Sequence, residues 1–371
     1  MNNTQKFFND FEDSISIGPL VGLPSSVWVG EDIANYLIKQ TLKIEKFNDF
    51  NTKINTQYII VVKLMPSINW LLEKVKAGVK VLYVPVDIFH SPYVYWQYKA
   101  HLKLFSGFLI HNDGVGELVE KASEAPQFHI EHYLKYEVNR DVKKDKQQEL
   151  LWVGHLEYIP SFLKFMEEHK PKIRIRALSD LEKLSSYDNY LKNSLVEMGY
   201  KYSLKRQSDG TVFISGILIE QWSEKKQKEA MEQCLGAFDT KMDSFAHNLK
   251  PPTKAQKFVY NKVPFACSEY SFSYKYFRRL GLKLVTLSEL DRLVSDEYLL
   301  EINDFCEQEM CRVKIDNVAA SYLDACQKSV LPKPYSFDYF HIMNIVYHLA
   351  YLYSRIVGKL TTVFRQIKLK E

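Results

Sequence analysis

The residues Lys250 to Ser268, KPPTKAQKFVYNKVPFACS, carry the most legible chemistry in this chain. Two lysines, Lys250 and Lys254, bracket Pro251, Pro252 and Thr253, ahead of what reads as one short helix. A Val-Pro step and a small apolar strand follow. The two prolines stiffen the loop and stop a helix from starting too early. A basic loop that runs into a helix start suits the holding of a phosphate, because backbone N–H groups and fixed cations then converge on one anion. The plain alternative is a solvated loop with surface lysines.

Such a loop does chemistry only if a scaffold positions it. The first half alternates strand-like runs (SISIGPLVGL, QYIIVVKLM, VKVLYVPVDIF, FSGFLIHN) with helical ones (EDIANYLIKQTL, SINWLLEKVKAG, VGELVEKAS). Ser67 is placed to cap its helix and Gly78 to end it. The charged stretch VNRDVKKDKQQE, from Val138 to Glu149, reads as a linker. The pattern then restarts with LLWVGH, YIPSFLKFMEEH and KIRIRALS. TVFISGILI, CLGAFDTK and VPFACS follow as further strands, with SEKKQKEAMEQ a helix among them. Strand-helix alternation of this kind predicts α/β architecture with parallel, doubly wound sheets. The expected division is two Rossmann-like domains, 1–140 and 150–330, with a site in the cleft between them, plus a helical basic tail at 336–371.

Composition excludes several classes. With 46% apolar and 25% charged residues the chain holds a real core, and its net charge of +4 shows no clustered basic footprint for nucleic acid. The five cysteines form no zinc spacing and read as buried thiols of a reducing compartment. The polar, acidic start carries no signal-peptide run, and no segment reaches about 18 uninterrupted apolar residues. A cytoplasmic location is expected. No G-x-G-x-x-G follows a strand, and no P-loop or G-x-S-x-G occurs, which removes dehydrogenase, P-loop kinase and α/β-hydrolase readings.

Over Leu150 to Leu290 the chain resembles the donor-binding half of GT-B glycosyltransferases. LLWVGHLEYIPSFLKF is similar to the strand, glycine turn and helix that open that half. TVFISGILIEQWSEKKQKEAMEQCLGAFDTK is similar to its strand, base-contacting loop, helix and next strand, and KPPTKAQKFVYNKVPFACS to the helix and proline turn near sugar and diphosphate. The KPPTK form resembles that of bacterial surface-polysaccharide transferases. Many retaining members place two glutamates on this helix; here Leu249 and Lys257 stand at those positions, so no stereochemical course is implied.

The resemblance implies a nucleotide-sugar donor and a saccharide or lipid-linked saccharide acceptor, with no cofactor. Lys250 and Lys254 would gather positive charge on the diphosphate leaving group, and Thr253 would cap the helix. Ser268 and Ser271 would contact phosphate or ribose. Lys241, at a strand end with Asp239, would assist the diphosphate or form a structural salt bridge. Trp222 would stack on the nucleobase or fill core, and Gly154 would let backbone approach phosphate or simply turn the chain. Transfer with inversion needs a base on the acceptor side, for which Glu31, Asp32, Asp87, His90, His111 and Asp113 stand near strand ends or helix starts. Of these, Asp87, His90, His111 and Glu31 are the expected catalytic set. No D-x-D occurs, so a metal-held diphosphate is not expected. A non-catalytic binding subunit and a sugar-nucleotide epimerase are the alternatives.

The tail, FDYFHIMNIVYHLAYLYSRIVGKLTTVFRQI, repeats apolar residues at Phe340, Met343, Val346, Leu349, Tyr353, Ile356, Leu360 and Phe364. Basic residues gather at its end. This is the pattern of a helix packed on its own protein, of a homodimer helix, or of an anchor on the inner membrane face.

Overall fold

The computed structural model describes residues 8–140, 149–333 and 337–368, with side chains for 338–360 of the last stretch. The middle of the expected linker and the end of the basic tail (Phe364, Arg365, Lys368, Lys370, Glu371) lie outside the described side chains. Two compact units emerge: Met1–Tyr133 with Leu249–Pro251 and Arg312–Glu371, and Leu134–Asn248 with Pro252–Cys311.

This division differs from the expected boundaries at 140, 150 and 330. Helix Ile315–Lys328 belongs to the first unit, where Val318, Ala319, Tyr322, Leu323 and Cys326 join the core and Tyr322 Oη donates to Val29 O at 2.9 Å. An amphipathic stripe dictates that a helix must be covered, but not by which sheet.

Among the described residues the first unit holds a six-stranded, all-parallel sheet in the order β2-β1-β3-β4-β5-β6. The strands are β1 Ile15–Gly18, β2 Ile44–Lys46, β3 Tyr58–Val62, β4 Lys80–Val84, β5 Gly107–Ile110 and β6 Gln127–His129. β3 reads YIIVV and is buried along its whole length, as a parallel strand covered on both faces must be. Ser67 caps helix Ile68–Lys76 through the Trp70 N–H, and Gly78, at φ 73°, follows its end. Helix Asp32–Lys39 continues from a π-helical turn, Val27–Glu31. Helix Pro92–Leu102 was not expected: its residues YVYWQY are apolar on every side, so no stripe marks it. Its N-terminal signature is nevertheless plain, with Ser91 capping and Pro92 in the first turn.

The second unit holds a seven-stranded sheet in the order β13-β12-β7-β8-β11-β10-β9, among the described residues. Its strands are β7 Glu149–Val153, β8 Arg174–Ser179, β9 Leu204–Arg206, β10 Val212–Ile214, β11 Ile217–Gln221, β12 Gly236–Phe238 and β13 Phe265–Ala266. β13, β12, β7, β8 and β11 pair in parallel. TVFISGILI is not one strand but the hairpin β10–β11, turning at Ser215 (φ 49°) and Gly216 (φ 92°), both in the left-handed region that such tight hairpins require. β10 therefore runs antiparallel to both neighbours, a departure from the wholly parallel sheet expected.

Candidate functional site

In the second sheet the chain leaves β7 toward β8 and β11 on one side and returns to β12 and β13 on the other. The winding reverses between β7 and β12, and in open α/β sheets the carboxyl ends of the strands at such a point are the usual ligand position. Gly154 and His155 follow β7 there, and Asp239, Thr240 and Lys241 follow β12.

Asp239, buried directly after β12, lies at this switch point. Its Oδ2 lies 3.3 Å from Lys241 Nζ, and its Oδ1 accepts from Lys254 Nζ at 2.8 Å. Burial alone would push the carboxyl up, but the two ammonium groups outweigh it and hold the carboxyl down at about 2. Within this trio two cations meet one carboxylate. Both lysines remain partly exposed (15% and 21%) while the aspartate is closed off (7%). Lys241 thus forms the structural salt bridge and stands at the switch point at once.

The helix Thr253–Val259 delivers Lys254. Its ammonium also lies 5.7 Å from the centroid of the Tyr158 ring. One turn on, burial and the neighbouring Lys254 push the Lys257 ammonium down to about 8, and its Nζ sits 5.4 Å from the Tyr136 ring. Thr253 does not cap. Pro252 occupies the cap position, and Thr253 is already the first helical residue. Lys250 parts company with Lys254 as well: Leu249–Pro251 belongs to the first unit, where Asn112 Nδ2 donates to Lys250 O at 2.9 Å. Consecutive prolines that cannot join the helix make this the natural place for the chain to change units.

The remaining donor-side residues divide. Gly154 is fixed by its neighbour: a Cβ there would lie 2.1 Å from the Trp152 indole, whose Nε1 donates to Thr240 Oγ1 at 3.1 Å. Close packing of that buried ring is why the position is glycine. Trp222 ends β11 on the carboxyl edge, donates to Gln227 Oε1 at 2.8 Å and stays 37% exposed, so it is not core. Ser271 is spent as the cap of helix Phe272–Arg279, accepting from the Tyr274 N–H and donating to Cys267 Sγ. Ser268 is half-buried after β13.

In the first unit the expected catalytic residues fall on the carboxyl edge of its sheet without meeting as a set. Asp87 follows β4 with φ 56° and lies 3.7 Å from Lys63 Nζ, which follows β3. His90 is exposed. Glu31 closes the π-helical turn, while the adjacent Asp32 accepts from Tyr133 Oη. Asp113, at a helix start, lies 3.7 Å from His129.

His111 is different. It follows β5, its Nδ1 lies 2.7 Å from Ile130 O, and its ring lies against His132 with centroids 4.2 Å apart. Burial pushes its imidazole down to about 4, against the pull of the Ile130 carbonyl in the other direction. A carbonyl can only accept, so Nδ1 carries the proton and the lone pair sits on Nε2, which is buried with no partner among the described residues. His111 is therefore a neutral imidazole whose acceptor nitrogen is buried without a partner among the described residues. His132 is driven well below its ordinary value by burial and by His111.

His132, Lys63, Tyr158 and the buried setting of Lys257 escaped sequence reasoning. Only Lys63, a lone charge ending the run YIIVV, left a signal. A groove of about 420 Å³, lined among others by Lys103, Phe105, Glu124, Pro126 and Lys333, opens where β5 and β6 begin and includes none of the expected site residues. None of the five cysteines forms a disulfide; four are buried and Cys311 is exposed, against the expectation of five buried thiols.

No protein-family model matches the chain, and no curated protein is similar to it in sequence. Solved structures do match. AviGT4, a glycosyltransferase involved in avilamycin A biosynthesis, superposes with a TM-score of 0.52 over 85% of this chain and 98% of that one, at 7% identity. A glycosyltransferase from Rickettsia africae ESF-5 does so with a TM-score of 0.54 over 86% and 98%, at 8% identity. The fold is that of the GT-B glycosyltransferases.

Proposed function

We propose that the chain is a glycosyltransferase of bacterial surface-glycan synthesis. It moves a sugar from a nucleotide-sugar donor to a saccharide or lipid-linked saccharide acceptor without a metal ion, and works in the cytoplasm, a location in keeping with five cysteines that form no disulfide. The observation that carries this reading is the buried Asp239 with its two lysines, which gathers two ammonium groups at the switch point of the second sheet. Breaking the anomeric carbon–oxygen bond leaves negative charge on the nucleoside diphosphate, and a fixed cation in a partly dry site lowers the cost of that charge. The exposed Trp222 on the same edge offers a face for a base. In the first unit His111 Nε2 would take the proton of the acceptor hydroxyl as the new glycosidic bond forms.

The test is a panel of nucleotide sugars, scored for binding and for release of the nucleoside diphosphate. Turnover with at least one donor is expected, and His111→Gln should lower it about 100-fold or more while donor affinity holds. Binding without turnover would make the chain a binding subunit, and no binding at all would remove the reading.

A further inference from the structure

We propose that the outer face of helix Phe337–Lys368 docks on an anionic phospholipid bilayer. One face of this helix is covered by helix Pro92–Leu102: Tyr347 meets Trp96 with centroids 6.2 Å apart, Lys99 Nζ lies 5.5 Å from the Tyr347 ring, and the Tyr93 hydroxyl closes over Gly358. The opposite face is apolar and open. Ile342 (62% exposed), Ile345 (59%), Leu349 (59%), Tyr353 (71%), Ile356 (59%) and Leu360 (52%) follow one another at intervals of three and four, forming a single stripe. From Ile342 to Leu360 the stripe is about 27 Å long at ~1.5 Å per residue. A soluble chain has no folding reason to keep such a stripe bare, because apolar surface of this extent is stabilised by cover.

Charge decides the occupant. Between Tyr339 and Leu360 the charged residues are Arg355 and Lys359, both exposed, and the helix has one acidic residue, Asp338, in its first turn. A second copy seated face to face would set these cations against each other if parallel, or against bare apolar residues of the 342–347 region if antiparallel, with no carboxylate of the stripe to answer them in either case. An anionic bilayer supplies both halves of the complement, acyl chains for the stripe and phosphate headgroups for Arg355 and Lys359. Among the described residues no helix is long and apolar enough to cross a membrane, so the helix lies in the interface plane. This inference holds whether or not the chain transfers a sugar, and its failure would leave the donor reading untouched.

The full chain should float with vesicles of mixed phosphatidylglycerol and phosphatidylcholine, and about tenfold less with phosphatidylcholine alone. Leu349→Asp with Ile356→Asp should abolish flotation, and Arg355→Glu with Lys359→Glu should abolish the preference for anionic lipid. Should the aspartates impair folding by circular dichroism, Tyr353→Gln with Leu349→Gln replaces them and should lower flotation at least tenfold. Equal flotation of wild type and variants overturns the proposal. So does a wild-type chain that ignores both vesicles, including one that sediments as a dimer broken by the same substitutions.

Discussion

The two units put opposite electrostatics on the same edge of similar sheets. At the carboxyl end of β7 and β12 the second unit buries a carboxylate and surrounds it with two lysines, so charge is fixed and paired. At the carboxyl end of β5 the first unit buries imidazoles instead, keeps them neutral and leaves a lone pair without a partner. Parallel-sheet architecture specifies where a ligand goes but not what it is. The residues that follow each strand set the charge that edge carries.

The largest effect expected from any single substitution that breaks this contrast comes from Asp239→Ala. It leaves two partly buried ammonium groups facing each other, and loss of one partner from a buried ion pair costs about 3–5 kcal/mol. Denaturant unfolding should show that loss, and added inorganic pyrophosphate should restore part of it; unchanged stability without ligand would mean that the lysines do not depend on the aspartate. Gly154→Ala is next. With the Trp152 indole fully buried and stacked on Phe162 at 4.5 Å, the new methyl cannot be accommodated without displacement, at a cost of ~1–3 kcal/mol. A neutral outcome would show that the turn adapts.

The third effect separates the units by pH. His101 and His111 are pushed down to about 4, and His132 well below its ordinary 6.5, all three chiefly by burial. The unfolded chain therefore binds more protons than the folded one between pH 6.5 and about 4, and stability falls as pH falls through that window. Each histidine contributes roughly 1.4 kcal/mol per pH unit where its two states differ fully. Asp239 responds only lower, between its ordinary 3.8 and about 2. The first unit should thus lose protection before the second on acidification, as amide exchange by mass spectrometry would reveal.

Much of the fold was legible because its signals are local. β-Branched runs such as YIIVV gave strands, and Ser67 gave a helix start by its position. What failed to show was either non-local or symmetric. The return of helix Ile315–Lys328 to the first unit depends on which core has room, and helix Pro92–Leu102 hides because its apolar residues surround it. Ser215-Gly216 did carry a turn signal, since glycine permits the left-handed backbone a hairpin needs, yet its flanks read as one continuous run. At the site, Lys241 and Lys254 were visible as cations after a strand and before a helix. The salt bridge between Lys241 and Asp239 was one of the readings open from the sequence; that Lys254 shares the same carboxylate was not legible, because residues fifteen positions apart meet only once β12 and the helix Thr253–Val259 are in place. Gly154 was legible as a glycine and not as a consequence of Trp152.

The central claim is that the two lysines around Asp239 hold a diphosphate. Calorimetric titration of a nucleoside diphosphate into wild type and Lys254→Ala, each checked for fold by circular dichroism, tests it most directly. The account predicts binding to the wild type and at least tenfold weaker binding to the variant. Equal affinity in a folded variant would contradict it.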